Sequence, residues 1–498
     1  MKRETTEGTS RGQRYVIRLA SELTRKSNKT RRRFQRRLIA NLRDGLSSVS
    51  DGAFEIEDRW SRIFVELEDP QASVVFRRVF GVHSFSPVDD TLPADLDRIV
   101  ERGHELYRDV VQGRSYAIAA RRAGRHPFSS QQIREALGAA LNPYGRVDLT
   151  SPEVRFSVEV RDGEAFLFHE TLNGPGGFPV GTQGRAVCLI SGGFDSAVAA
   201  WLLLKRGVDL EYVFCNLAGP AFERSVIQVT KVLTDFWTYG ARPRFHALDF
   251  APVVAELQSK VTPRYWQVVL KRLMYRGAAL VAEELGADAI VTGESVGQVS
   301  SQTLTNLRAI ESAVSLPVLR PLVGLDKEEI IALADRIGTK ALSARIREYC
   351  AILEGRPVTS AKVGAVDREE ESVDLGLVRS AVETRRVLDL RGLRGTALTE
   401  PYLHVDQVPE GALVLDCRTL SQDDGWRFAG SLRVPPAEFS EVVADLVKER
   451  THVLFCDYEV QSLTLAERLQ RLGFEAYALR GGTRALKSLS AAGTAGQT

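Results

Sequence analysis

Five cysteines in 498 residues are too few for a disulfide framework. The chain therefore reads as one that keeps reduced thiols, as cytoplasmic proteins do, with room for a reactive one among them. No run of 18 apolar residues occurs, so no membrane-spanning helix is expected. The basic N-terminus has no apolar segment of signal-peptide length, which argues against export. No cluster of His and Cys has the spacing of a zinc site, so no built-in metal centre is expected. An excess of one charge is also missing over the whole chain, whose net charge is +2. The charge is nonetheless uneven. Residues 1–50 hold 14 Lys and Arg against four Asp and Glu, a local balance of +10, so the remaining 448 residues sum to −8. A solvated helix face is the plainer reading of a charge run, and a polyanionic partner such as RNA is the sharper one. At this length three or four domains are expected, and 44% hydrophobic residues suffice for several cores.

What is present centres on Ser191-Gly192-Gly193-Phe194-Asp195-Ser196. An apolar run, Ala186–Ile190, precedes it and a helix-forming run, Ala197–Arg206, follows. Strand, glycine turn and helix in that order make a cradle for an anion. Glycines let the backbone approach a ligand, Ser196 is placed to cap the helix, and the first-turn N–H groups and the helix dipole face the anion. No Gly-Lys-Ser or Gly-Lys-Thr follows, so this is not a Walker loop. The motif resembles the pyrophosphate loop of the ATP pyrophosphatases, which split ATP into AMP and pyrophosphate. A glycine turn kept for packing alone is the bland alternative.

Upstream, residues 14–20 alternate like a strand and a basic amphipathic helix is predicted at about 29–45. Phe34, Leu38, Ile39 and Leu42 keep helical spacing and would face a core. Arg31, Arg32, Arg33, Arg36 and Arg37 occupy the other faces, and no acidic residue interrupts 23–43. Phosphate contact follows from that pattern and sequence-specific base reading does not. Strand-like runs at Arg62–Leu67 and Val74–Phe80 complete an α+β pattern of the ferredoxin-like kind over 1–88. A second α+β unit spans 89–171, with strands at Ser115–Ala120, Arg155–Val160 and Ala165–His169 and a helix from about Ser129. Arg121, Arg122, Arg125 and His126 cluster at a strand end and form a second candidate for RNA backbone contact. In layout and position the unit looks like a THUMP domain, an RNA-binding module of tRNA-modifying enzymes.

The stretch Leu172–Gly181 is dense in glycine and proline and marks the start of a central domain, 172–356. Its strands and helices alternate, which predicts a parallel sheet with helices on both faces and a ligand beyond the carboxyl ends of the strands, where Ser191–Ser196 falls. A further polar, glycine-containing loop, Thr292–Thr303, also follows a strand. That loop, Leu270-Lys271-Arg272, Glu348-Tyr349-Cys350, Gly177-Phe178-Pro179 and Leu319-Arg320-Pro321-Leu322 together resemble the tRNA 4-uridine sulfurtransferase family, from about residue 14 to the C-terminus and most closely over 171–352. The fold class implied is multidomain α/β and α+β. It comprises a ferredoxin-like domain, a THUMP domain, a parallel-sheet ATP pyrophosphatase domain of the adenine nucleotide α-hydrolase-like kind and a rhodanese-like α/β domain.

Residues 357–403, charged and loosely patterned, read as a helical linker. A last domain at 404–487 has a strand ending in Asp416-Cys417-Arg418, a strand ending at Cys456, a helix over about Ser462–Leu472 and Leu479-Arg480-Gly481-Gly482. These landmarks look like a rhodanese domain, which carries sulfur on one cysteine. Residues 488–498 are small and polar and read as a disordered tail. Cys188 and Cys215 lie in apolar strands and are expected to pack there, as is Cys417. Cys456 ends a strand and opens a loop into a helix, a geometry expected to expose it and to surround a thiolate or persulfide with backbone N–H groups. The loop departs from the rhodanese pattern, since it has Glu459 and no arginine. Asp457 and Glu459 oppose thiolate formation.

The resemblance implies a two-stage thiolation. The uridine C4 oxygen attacks the α-phosphate of ATP, and a persulfide on Cys456 then displaces AMP. It assigns Leu189 and Ile190 to the adenosine and Lys271, Gly293 and Gln302 to ATP, beside Ser191, Gly192, Gly193 and Ser196 of the cradle. Asp195 is the catalytic carboxylate and the candidate for Mg²⁺ carried with ATP. It pairs Cys350 with Cys456 in a redox disulfide, names a cysteine desulfurase as sulfur donor, and adds the thiazole branch of thiamine synthesis with its sulfur-carrier protein. A homodimer is left open. An amide-forming ligase with the same loop and an RNA-binding protein with a vestigial catalytic domain are the alternatives, separated by ATP–pyrophosphate exchange.

Overall fold

The computed structural model describes residues 12–59, 62–217, 220–344, 346, 357–393, 403–419, 422, 424–448, 450–457 and 460–494. They fall into two compact units. The first holds residues up to Thr182 with short returns at Lys205–Gly207 and Tyr239–Ala241, and the second holds the rest.

The first unit opens on strand β1 (Gln13–Leu19), helix α1 (Asn28–Val49) and strands β2 (Phe54–Arg59), β3 (Arg62–Leu67) and β4 (Val82–Pro87). Ser27 caps α1 by accepting from the Thr30 N–H. Its apolar stripe, Phe34, Leu38, Ile39 and Leu42, is buried against β1 and β3 residues such as Ile17 and Val65, as the helical spacing predicts. Val74–Phe80 is not a strand. Residues Pro70–Arg77 form a 3₁₀ helix capped by Asp69, with Pro70 in its first turn. Ala72, Val75 and Phe76 are buried at helical rather than alternating spacing, and the strand begins only at Val82.

Strands β5 (Asp90–Pro93), β6 (Ser115–Arg122), β7 (Arg146–Val147), β8 (Val154–Arg161) and β9 (Glu164–Phe168) form a second sheet in the order β5-β9-β8-β6-β7. Helices α2 (Leu96–Val111) and α3 (Ser130–Leu141) pack on it. Ser129 and Gln132 close a capping box at the start of α3. Within this unit the buried Glu159 carboxylate receives Arg62 Nε at 2.8 Å, Arg161 Nε at 2.6 Å and Arg18 Nη2 at 3.8 Å. The boundary at 172 is shifted by the fold. Leu172–Asn173 returns as β10 to the first sheet, beside β4, because Leu172 pairs with Phe85 and joins its core.

The second unit contains a six-stranded sheet of β11 (Arg185–Leu189), β12 (Asp209–Asn216), β13 (Arg244–Asp249), β14 (Ala289–Val291), β15 (Val318–Leu319) and β16 (Arg386–Asp389), in the order β15-β14-β11-β12-β13-β16. The first five are parallel, as the alternation predicts, and β16 is antiparallel to β13. Helices α4 (Phe194–Lys205), α5 (Pro220–Trp237), α6 (Ala251–Lys260), α7 (Trp266–Leu285), α8 (Leu304–Glu311) and α9 (Lys327–Ile337) connect or flank the strands.

Where a linker is expected, residues 357–393 are part of this domain. Helices α10 (Val363–Glu371) and α11 (Gly376–Glu383) bury Val366, Val378 and Val382 in the same core as α7, and β16 closes the sheet edge. Arg272 of α7, 3% exposed, donates to Glu370 Oε2 at 2.7 Å and Asp367 Oδ1 at 2.8 Å. Two of the charges that suggest a linker, Asp367 and Glu370, are thus partners of the buried Arg272. Only residues 394–402 between this domain and the next lie outside the described residues.

The C-terminal domain is an all-parallel sheet of β17 (His404–Val405), β18 (Leu413–Asp416), β19 (Leu432–Arg433), β20 (His452–Phe455) and β21 (Ala476–Leu479), in the order β17-β21-β20-β18-β19. Helix α12 (Val460–Arg471) follows β20. The expected disordered tail instead begins inside helix α13 (Gly482–Thr494), which Leu486, fully buried, anchors to the sheet.

Candidate active site

Strand β11 ends at Leu189 and α4 begins at Phe194, so Ile190–Gly193 must turn at the carboxyl edge of the sheet. Gly192 has φ +78°, and a Cβ there would lie 2.6 Å from Ile346 Cδ1. Glycine is required by conformation and by space. Ser196 is the third helical residue and so does not cap α4. Its hydroxyl accepts from the Ser191 N–H at 3.2 Å and donates to the Gly193 carbonyl at 3.2 Å, pinning the turn from inside the helix. Asp195, 6% exposed, accepts from Lys327 Nζ at 2.8 Å on one oxygen and from Gln298 Nε2 at 2.7 Å on the other. Lys327 opens α9, whose start is set by the Asp326–Glu329 capping box.

The loop after β14 leans on the same turn. A Cβ on Gly293 would meet the Asp195 carbonyl carbon and the Ser196 nitrogen at 2.6 Å each. Next to it Glu294 is buried among cations. Lys271 Nζ lies 2.9 Å from Oε1, and Oε2 accepts from Tyr275 Oη at 2.5 Å, Arg320 Nε at 2.9 Å and Thr292 Oγ1 at 3.2 Å. Burial raises the Glu294 pKa, but Lys271, Tyr275 and Arg320 outweigh it and hold the carboxyl down at about 2. Burial and the Glu294 charge push the Tyr275 phenol well above its ordinary value. Gln302, 7% exposed, accepts from the Ser295 N–H at 3.1 Å.

These groups surround a cavity of about 900 Å³, open solvent at its mouth included. Ser191, Asp195, Ser196, Lys271, Gly293 and Gln302 line its polar side. Leu189, Ile190, Phe214, Leu217, Phe222 and Met274 line its apolar side. Gly192 and Gly193 shape the turn and are not among the lining residues. Apolar walls beside the glycine turn and Lys271 suit a planar base carrying phosphates. The fold thus gathers residues from five separate stretches. Sequence reasoning missed Lys327, Gln298, Tyr275 and Arg320. The Thr292–Thr303 loop held Gln298 and the Leu319–Leu322 motif held Arg320, but no local signal singled out either side chain. Among the described residues no three His, Cys, Asp or Glu side chains converge as a metal site. A magnesium ion usually takes one or two carboxylates plus phosphate oxygens, and Asp195, the carboxylate of the turn itself, fits that donor set.

The cysteines divide differently from the expectation. Cys188 is fully buried and burial pushes its thiol up to about 12. Cys417 is fully buried, and Cys215 is buried beside the cavity. Cys456, expected to be exposed, is fully buried. The Ser462 N–H and hydroxyl each lie 3.5 Å from its Sγ, and the Thr483 N–H donates to its carbonyl at 3.3 Å, so α12 and the start of α13 close over the strand end. Cys350 and Glu459 lie outside the described residues.

Of the arginines singled out for RNA, Arg32, Arg33 and Arg36 of α1, Arg121 and Arg122 at the end of β6 and Arg125 just beyond it are exposed, and Arg31 is half-buried. Arg122 Nη1 donates weakly to the Gly124 and His126 carbonyls at 3.4 and 3.3 Å. Arg37 differs from its neighbours, since it donates to the Val180 and Gly240 carbonyls at 2.8 and 2.7 Å within the first unit.

Comparison with known proteins follows the same division. Residues 181–375 match the family described as thiamine biosynthesis protein (ThiI), residues 14–86 its ferredoxin-like domain and residues 93–170 the THUMP domain. The tRNA sulfurtransferase of Pyrobaculum aerophilum is 36% identical over 472 residues, covering 93% of this chain and 96% of its own. That of Desulfurococcus amylolyticus is 37% identical over 474 residues, with 94% and 97% covered. Among solved structures, a 4-thiouridine synthetase in complex with RNA and bound ATP aligns with a TM-score of 0.68 at 29% identity, over 76% of this chain and 99% of that one. Fold and cavity define a THUMP-bearing enzyme built on a pyrophosphate-loop domain. The chain belongs to the tRNA sulfurtransferase family.

Proposed function

We propose that this enzyme thiolates a uridine of tRNA at C4 in two stages, using ATP to activate the base and a protein persulfide to deliver sulfur. The supporting observation is the cavity itself, which unites Ser191, Asp195 and Ser196 with Leu189, Ile190, Lys271, Gly293 and Gln302. The relative solved with RNA and ATP carries the same fold over 76% of this chain.

A carbonyl oxygen is a poor leaving group, so the uridine oxygen first attacks the α-phosphate and expels pyrophosphate. The Ser191–Ser196 turn would hold the pyrophosphate by backbone N–H groups and the helix N-terminus. Leu189 and Ile190 would flank the adenosine, with Gln302 and Gly293 bordering ATP. Lys271 would act as a point charge on phosphate, moving between it and Glu294. Asp195 would share an Mg²⁺ brought by ATP, which neutralises phosphate charge, while Lys327 sets the position of that carboxylate.

A cysteine desulfurase would then load Cys456 in a rhodanese-like domain, whose parallel sheet places Cys456 at a strand end before a helix. The terminal sulfur attacks C4 and AMP leaves. Cys350 attacks the Cys456 sulfur, leaving a disulfide for a cellular reductant. Because Cys456 is buried, loading requires the contacts that Ser462 and Thr483 make over it to part. Arg31, Arg32, Arg33 and Arg36 with Arg121, Arg122 and Arg125 would contact the tRNA backbone. Supply of sulfur to the thiazole of thiamine is a second output of the same persulfide, and the cytoplasm is the compartment that keeps these thiols reduced.

The test is tRNA thiolation and pyrophosphate release with Cys456→Ser beside the parent. Pyrophosphate release is expected to persist while thiolation stops. Full thiolation by the variant under a limiting sulfur donor would sink the carrier assignment, and absence of tRNA-dependent pyrophosphate release in the parent would sink the activation step.

A further inference from the structure

Strands β18 and β20 are parallel neighbours in the register Asp416↔Phe455, and the next residue on each is a cysteine, Cys417 and Cys456. The Cys417 N–H donates to the Phe455 carbonyl at 2.8 Å, so the pairing continues beyond the strand ends. Adjacent strands lie about 4.7–4.9 Å apart, inside the roughly 4.4–6.8 Å between Cα atoms that a disulfide spans. The two side chains also point the same way. Both belong to the apolar cluster of Leu415 and Leu454, whereas Val414, Val453 and Phe455 form a separate cluster on the opposite face.

We propose that Cys417 is a resolving thiol for Cys456, one strand away within the same domain. The proposal rests on the reading of Cys456 as a persulfide carrier. Cys417 Sγ attacks Cys456 Sγ, the bond from Cys456 Sγ to the terminal sulfur breaks, and that sulfur leaves with the electron pair and the proton of the Cys417 thiol. The products are a Cys417–Cys456 disulfide and hydrogen sulfide, or the thiolated base when the terminal sulfur is already bonded to it. The terminal sulfur is reduced to sulfide and Cys417 is oxidised, while Cys456 Sγ stays at the disulfide level, so no outside oxidant takes part. A dithiol reductant then reopens the bond.

Burial suits this role. Cys417 is fully buried, and burial, with Cys456 and Asp416 beside it, pushes its thiol well above the ordinary value. Solvent oxidants and alkylating agents therefore meet no thiolate. The adjacent sulfur is within intramolecular reach, where effective concentration offsets the low thiolate fraction. Ser462, 3.5 Å from Cys456 Sγ through both its N–H and its hydroxyl, holds that sulfur in place.

The experiment uses the full chain with Cys350→Ser, which silences the other proposed resolving thiol, and glutathione persulfide as sulfur donor. Peptide mass analysis without reduction is expected to show a linked pair carrying Cys417 and Cys456, two hydrogens lighter than the separate thiols, with about one hydrogen sulfide released per chain. Adding Cys417→Val, which keeps an apolar side chain in the core, is expected to abolish the link. It should leave Cys456 one sulfur heavier and slow sulfide release roughly tenfold or more. Cys417→Ser serves as a second replacement if the valine form does not fold. A persistent Cys456 persulfide with no linked pair in the Cys350→Ser chain overturns the proposal, as does equal sulfide release with and without Cys417. Failure of Cys456 to gain sulfur in every variant removes the carrier reading itself, and the resolving role with it.

Discussion

Gly293 sits against Asp195 so closely that a Cβ on the glycine would lie 2.6 Å from the Asp195 carbonyl carbon. Real Cβ atoms do not approach backbone at that distance, so the loop after β14 and the turn before α4 share one position in space. Gly293→Ala is expected to push the two loops apart, raise the KM for ATP about tenfold or more, and cost about 1–3 kcal/mol of stability by overpacking. Steady-state pyrophosphate release across ATP concentrations, with urea unfolding alongside, checks both. An unchanged KM would show that the loops can separate without harm to the cavity.

Lys327 and Asp195 form the other close relationship at the turn, at 2.8 Å. Lys327→Ala leaves Asp195 with the Gln298 amide and removes the cation that pairs with this carboxylate. Tyr275, Lys271 and Arg320 remain with Glu294, so the loss should fall on the rate of pyrophosphate release, by about 100-fold, more than on folding. Lys327→Arg, which keeps the charge at a different reach, should recover part of it.

The buried Glu294 carboxyl, held at about 2, gives the second unit an acid-labile point. Its folded value lies below the usual carboxylate value of 4.5. The stability it contributes is therefore present above about pH 4.5 and is lost as the pH falls towards 2. Its size is on the order of 3 kcal/mol. Glu294→Gln is expected to lower stability at pH 7, because Lys271 and Arg320 lose a charged partner, and to flatten the fall between pH 4.5 and 2. Urea midpoints at pH 7, 4 and 3 measure both effects.

Residues 357–393 belong to the core of the central domain. A chain ending at residue 393 is expected to keep a folded central domain that binds ATP, and one ending at residue 356 is not. In the full chain Glu370→Gln removes one of the two carboxylates that pair with Arg272, 3% exposed, and leaves Asp367 to balance it, at a cost of about 1–3 kcal/mol. Chemical unfolding and isothermal ATP titration distinguish these outcomes.

Arg121 and Arg122 sit exposed at the end of β6. If both meet phosphates, replacing them by Gln should weaken tRNA binding without regard to sequence. The slope of log affinity against log salt should then fall by about 0.7–0.9 for each arginine lost. A slope equal to that of the parent would place the RNA elsewhere.

Local chemistry explains what was legible beforehand. The turn at Ser191–Ser196, the stripe Phe34–Leu42 and the alternation of strands and helices are each set by residues within about 20 positions of one another. The Val74–Phe80 segment reads as a strand because apolar density hides a helical spacing that Asp69 and Pro70 begin. Residues 357–393 read as a linker because charged side chains that pair with Arg272 and Arg276 look, in one dimension, like solvent-facing ones.

Legible along the chain are the ferredoxin-like, THUMP and pyrophosphate-loop domains in their order, the glycine turn at Ser191–Ser196 and the place of Cys456 at a strand end. These depend on backbone preference and on contacts close along the chain. Tertiary structure alone decided that Lys327 and Gln298 hold Asp195, that Tyr275 and Arg320 hold Glu294, and that Cys456 is buried beside Cys417. Those pairings join residues 19 to 132 positions apart. Parallel strands bring such distant residues together at one sheet edge, and no local pattern announces which of them will meet.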